Sequence, residues 1–107
     1  MDVFDQYGQN DPIYDWREHE LKVWGDFFEP LWSGDKRFEL RKDDRGYKVG
    51  DTLMLREWSK QNGYSGRWIR TEVTYILNGL PWLQTGYVCM SINEIERSKD
   101  AVRFCND

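Results

Sequence analysis

The residues best suited to chemistry lie in the stretch GDKRFELRK, residues 34–42, where Glu39 stands between the cations Lys36 and Arg41. The alternation in RFELRK predicts a strand, which puts Arg37, Glu39 and Arg41 on one face and Phe38 and Leu40 on the other. The apolar pair is expected to point to the core, setting Glu39 among guanidinium groups. A carboxylate held this way can accept hydrogen bonds from a base or a ribose while neighbouring cations hold phosphate. A solvated ladder of cross-strand charges accounts for the same residue types at little energetic worth.

Further candidates surround this stretch. Lys42, Arg45 and Lys48 flank a turn marked by Gly46 and are candidate phosphate contacts, with Asp43 and Asp44 diluting their potential. Arg56 is followed at strand spacing by Trp58, and Trp68 lies between Arg67 and Arg70, so that cations and aromatic rings are interleaved. That pairing suits bases, which stack on rings, and phosphates, which pair with Lys and Arg. Most tryptophans in a small domain nevertheless pack in or around the core. His19, the single histidine, opens a strand-like run beside Glu20. Near Lys36 at a barrel mouth it is a candidate acid or base, although a histidine at a strand edge is more often structural.

The elements that must position these side chains are mostly strands. HELKVW alternates and reads as a first strand. DFFEPLWSG places Phe27, Phe28, Leu31 and Trp32 at helical spacing, with Asp26 as N-cap, Gly34 as stop and Pro30 limiting the length. RFELRK, TLMLREW, RWIRTEVTYIL and YVCMSINEI follow as strands, with Asn62-Gly63 as a hairpin signal and NGLPWLQTG as a loop. The expected fold is mixed α/β, mainly β: a small barrel of five or six strands with one or two short helices. Residues 1–17 read as an irregular arm with scattered aromatics, 18–96 as the barrel domain and 97–107 as a polar tail.

Size and charge bound the possibilities. A chain of 107 residues holds about one domain with one core. The net charge of −4 is uneven: ten Lys or Arg face six Asp or Glu between Gly34 and Arg70, and five face thirteen elsewhere. A basic half of this kind can present a positive groove to a polyanion. No apolar run approaches the roughly 18 residues of a membrane helix, and the acidic start lacks a signal-peptide pattern, so a soluble cytoplasmic protein is expected. Cys89 and Cys105 form no CxxC and, with one histidine, give no metal-ligand spacing; both read as free thiols, Cys89 buried in a strand, and no metal or cofactor is called for.

GDKRFELR has the form G-x-K-x-x-E-x-R through Gly34, Lys36, Glu39 and Arg41, and resembles the signature of ASCH domains in the PUA-like β-barrel superfamily. The ordered series HELK, GDKRFELR, DRGYKVGD and GYVCMSI, over about residues 19–92, resembles a family of small bacterial and phage ASCH-like proteins without an assigned function. The resemblance implies a PUA-like barrel and RNA or modified-base binding, in the host cytoplasm if phage-encoded. In a few small members it implies hydrolysis of the amide of acetylated cytidine, using a lysine that matches Lys36, a threonine and a distant glutamate. Glu39 stands at the threonine position here, and Glu72 and Glu94 are the candidates for the distant glutamate. A lysine serves as base or nucleophile only when its surroundings favour the neutral amine, and an adjacent carboxylate works against that.

Three functions follow as expectations. The first is RNA or nucleotide binding through Lys36, Glu39, Arg41, Lys42, Arg45, Arg56, Trp58 and Trp68. The second is an amidohydrolase of acylated cytidines with Lys36, Glu39 and His19 as its kit. The third is a protein-interaction module that engages a partner through the aromatic N-terminal arm.

Overall fold

A computed structural model describes residues 17–99 of the chain. Most of the arm, most of the polar tail and Cys105 lie outside the described residues, and with them the expectation of a partner-binding arm. Five strands and one helix follow in the order β1 (Glu18–Trp24), α1 (Gly25–Ser33), β2 (Phe38–Lys42), β3 (Thr52–Ser59), β4 (Gly63–Asn78) and β5 (Tyr87–Arg97). They form a single sheet, β1-β3-β4-β5-β2, that curls into a half-barrel. The expected mainly-β, barrel-like fold is therefore present, with β4 longer than RWIRTEVTYIL and β5 running on to Arg97.

β1 pairs with β3 in parallel, and the other neighbours are antiparallel. The concave face carries Leu21, Val23, Leu53, Leu55, Ile69, Val73, Val88, Met90 and Ile92. Helix α1 adds Phe28 and Leu31 to this core. The helix ends at Gly34, whose φ of 90° is the left-handed conformation that a residue without Cβ adopts most cheaply. Asp26 does not cap the helix: Trp24 occupies the N-cap position and no side chain bonds there, while Asp26 sits in the first turn, where a negative charge suits the helix dipole. Pro30 lies inside the helix, which loses one backbone bond and stays at nine residues.

At the β3–β4 hairpin Ser59 pairs with Gly63, Gly63 takes a φ of 73°, and Ser59 Oγ accepts the Asn62 N–H at 3.0 Å. Cys89 is a free thiol in β5, half-buried rather than buried. No helix among the described residues is long and apolar enough to cross a membrane.

Candidate functional site

The phase of β2 is the reverse of the sequence expectation. Glu39 is 3% exposed, whereas Phe38 and Leu40 are 45% and 52% exposed. The β5 register dictates this: paired residues share a face, and Glu39 and Arg41 pair with Met90 and Val88, both core residues, while Leu40 pairs with Cys89 and Phe38 with Ser91. Glu39 thus projects inward beside Met90.

β1 and β2 are the two edges of the sheet, and the curl brings them face to face. No backbone ladder joins them; side chains do. Arg41 donates from Nη2 to the Lys22 carbonyl at 2.7 Å, and Arg45 donates from Nη1 to the Glu20 carbonyl at 3.1 Å. Beside these bridges opens a cleft of about 540 Å³. Its walls include Lys22, Val23 and Trp24 of β1, the run Phe38–Lys42 of β2, and Phe27 and Lys36 beside the helix. Inward- and outward-pointing residues of both strands line it, as only a gap between strand edges allows.

At its centre, Arg41 Nε donates to Glu39 Oε2 at 2.7 Å. Lys36 Nζ stands 3.8 Å from Glu39 Oε1, an ion pair too long for a hydrogen bond. Glu39 Oε1 is buried and accepts no hydrogen bond from the protein. Lys36 also lies over two rings, 5.5 Å from the Phe27 centroid and 5.4 Å from that of Phe38. A buried carboxylate oxygen without a hydrogen-bond donor, cations on either side and aromatic walls are therefore gathered around one cleft.

Of the residues singled out from the sequence, this cleft unites Lys36, Glu39, Arg41 and Lys42. Arg45 lies on the closing seam and is also ion-paired with Asp44 at 3.9 Å. Asp43 shapes the adjacent turn, its Oδ1 accepting the Gly46 and Tyr47 N–H groups. Arg56, Trp58 and Trp68 lie elsewhere, on the convex face, where Arg56 is ion-paired with Glu20. His19 is not a cleft residue. Its Nε2 is 2.8 Å from Asp51 Oδ2, which also accepts the Lys48 N–H, and its ring meets Tyr47 edge-on at 4.9 Å. Tyr47 is a core residue, and burial pushes its hydroxyl upward from 10.0, with Arg45 and Arg41 pulling the other way.

Of the two candidate glutamates, Glu94 and not Glu72 lines a second cavity of about 270 Å³ that Lys36 also borders, together with Thr71 and Asn93. Hydrogen bonds from Arg97 at 2.8 and 2.9 Å hold the Glu94 carboxyl below its usual range, against a smaller opposing effect of burial. The sequence reading missed Phe27, Lys22 and Trp24 as cleft residues. Their signal was present: each sits next to a core position, and Phe27 and Trp24 are large apolar residues with no place in the core.

The sequence profile of the domain of unknown function DUF3850 matches residues 18–92, from the start of β1 into the first half of β5. The chain belongs to this family. A curated relative, an uncharacterized 12.9 kDa protein in the GpA 3′ region of Escherichia phage P2, is 39% identical over 66 residues. That match spans 62% of this chain and 60% of the relative's length. The DUF3850 segment thus contains the whole cleft.

Proposed function

We propose that this DUF3850 domain binds RNA or a nucleotide, modified bases included, in the cleft between β1 and β2, in keeping with its resemblance to ASCH domains. The observation that carries the reading is Glu39 Oε1, a buried acceptor without a hydrogen-bond partner on a residue that lines a cleft with aromatic walls. Leaving such an oxygen unmet costs about 1–3 kcal/mol, which a donor supplied by a ligand recovers. A nucleobase or ribose offers N–H or O–H donors, a flat base suits the walls of Trp24, Phe27 and Phe38, and Lys22, Lys36 and Lys42 suit phosphate.

Calorimetric titration with ribonucleoside monophosphates and short single-stranded RNA tests this. Binding should weaken at least about tenfold in Glu39→Gln, because a hydrogen bond to a charged group is worth about 1.5–3 kcal/mol. RNA affinity should also fall as salt rises, through counterion release. Wild-type protein that binds neither probe overturns the reading.

Amidohydrolysis of acylated cytidines is the second reading, supported by the shared cavity of Lys36 and Glu94. Arg97 already occupies both Glu94 oxygens, and Glu39 stands where those hydrolases carry threonine. Release of acetate from N4-acetylcytidine in a manner that Lys36→Met abolishes would establish it; no turnover would retire it.

A further inference from the structure

Beside the cleft, a row of aromatic side chains crosses the convex face. The strand register aligns Trp24 of β1 with Trp58 of β3, and Trp58 with Tyr64 of β4. The next row aligns Lys22, Arg56 and Trp68. Trp24 is 53% and Tyr64 42% exposed. Trp24 and Trp58 meet edge-to-face with centroids 5.4 Å apart. Lys22 Nζ lies 4.5 Å from the Trp58 centroid, and the Arg56 guanidinium carbon lies 3.7 Å from that of Tyr64.

Core packing does not explain this row. Its rings stand on the opposite face from Leu21, Val23, Leu53 and Leu55, the residues of β1 and β3 that fill the core. Exposed rings on either side of the half-buried Trp58, all turned away from the core, are the kind of apolar surface that marks interaction sites. Its cations indicate the kind of partner. Interface cores between proteins are depleted in lysine, whereas rings accompanied by Lys and Arg suit a strand with alternating bases and phosphates. Arg56 shares its charge with Glu20, yet a guanidinium has five donors and keeps some for a phosphate. The row is also continuous with the cleft, because Lys22 and Trp24 line both.

We propose that the row Trp24–Trp58–Tyr64 is a stacking platform for single-stranded nucleic acid. A nucleotide seated at Glu39 continues past Trp24, and its neighbours stack on Trp58 and on the Arg56–Tyr64 pair, with Lys22 and Arg56 beside the phosphates. The row spans two strand spacings, about 10 Å, room for about two bases beyond the one in the cleft. This inference rests on the nucleotide-binding reading and names its partner class: a strand rather than a free nucleotide.

Fluorescence anisotropy with labelled oligoribonucleotides of increasing length, alongside a nucleoside monophosphate titration, tests the platform. Affinity should rise with length up to about three nucleotides and then level off. Trp58→Ala should weaken the longer strands about tenfold more than it weakens the monophosphate, and Trp58→Phe, which keeps a ring, should restore most of the loss. Matching circular dichroism spectra confirm that the variants fold. Glu39-dependent monophosphate binding with no gain from length overturns the platform and leaves the cleft reading intact. Length-dependent binding that needs Trp58 but is indifferent to Glu39→Gln supports the platform and overturns the cleft. Oligonucleotides and monophosphate both failing to bind overturns the two together.

Discussion

Glu39 and Arg67 are both buried charges on the concave side of the sheet, and their surroundings differ in kind. Arg67, 4% exposed, donates from Nε to Glu57 Oε1 at 2.8 Å and from Nη2 to Glu57 Oε2 at 2.9 Å, and is ion-paired with Glu29. Its guanidinium carbon lies 5.2 Å from the Phe28 ring centroid and 5.0 Å from that of Trp32. Burial alone pulls this guanidinium downward, and the bonds to Glu57 and Glu29 more than offset it. Glu39 has one oxygen on Arg41 and the other buried without a hydrogen bond, 3.8 Å from Lys36 Nζ. The Arg67 guanidinium is hydrogen-bonded on several sides, whereas the Glu39 carboxylate is hydrogen-bonded through one oxygen only, which is the arrangement the proposed ligand-binding role calls for.

That contrast can be broken by substitution. The largest effect should come from Arg67→Met, which strands the Glu57 carboxylate without its guanidinium and should cost about 3 kcal/mol of stability in urea denaturation. Adding Glu57→Leu to it should recover most of the loss, since an apolar pair can replace a buried ion pair. A single variant as stable as wild type would show that the Arg67 cluster is not structural. Glu39→Gln should cost no more than about 1 kcal/mol in the same experiment, because it removes an acceptor that lacks a hydrogen bond together with a pair whose Arg41 side is partly exposed. A loss as large as that of Arg67→Met would erase the distinction between the two sites. The smallest effect concerns Tyr47. Burial raises its hydroxyl from 10.0, so folding favours the protonated form; the stabilisation is full below that value and is lost as pH rises through the folded one. Wild-type denaturation midpoints should fall between about pH 9 and about pH 11, and Tyr47→Phe should lessen the fall.

Much of the scaffold was legible in the sequence because its signals are local. Alternation marked β1 and β2, strand-favouring apolar and aromatic runs marked the others, Gly34 marked the end of the helix, and Asn62-Gly63 marked the hairpin. Lys36, Glu39, Arg41 and Lys42 were legible as one cluster because neighbours along a short strand remain neighbours in space. The phase of β2 was not, because RFELRK alternates equally well in either orientation, and only the register against Val88 and Met90 decides which residues go inside. Nor could local pattern show that the sheet curls until β1 meets β2, which adds Lys22 and Trp24 to the site, or that β1 pairs with β3 and so sets His19 beside Asp51 instead of Lys36. Those placements depend on pairings between residues far apart in the chain.

The closure of the half-barrel by Arg41 and Arg45 carries a mechanical consequence. Between two strands joined by a ladder, separation breaks a whole series of backbone bonds at once. Between β1 and β2 it breaks side-chain clasps to the carbonyls of Lys22 and Glu20, each worth on the order of 1 kcal/mol. The aperture can widen by rotamer changes while the sheet keeps its register, so its width is set by two flexible side chains. Because the guanidinium of Arg41 grips Glu39 and β1 together, whatever engages that carboxylate also acts on the latch.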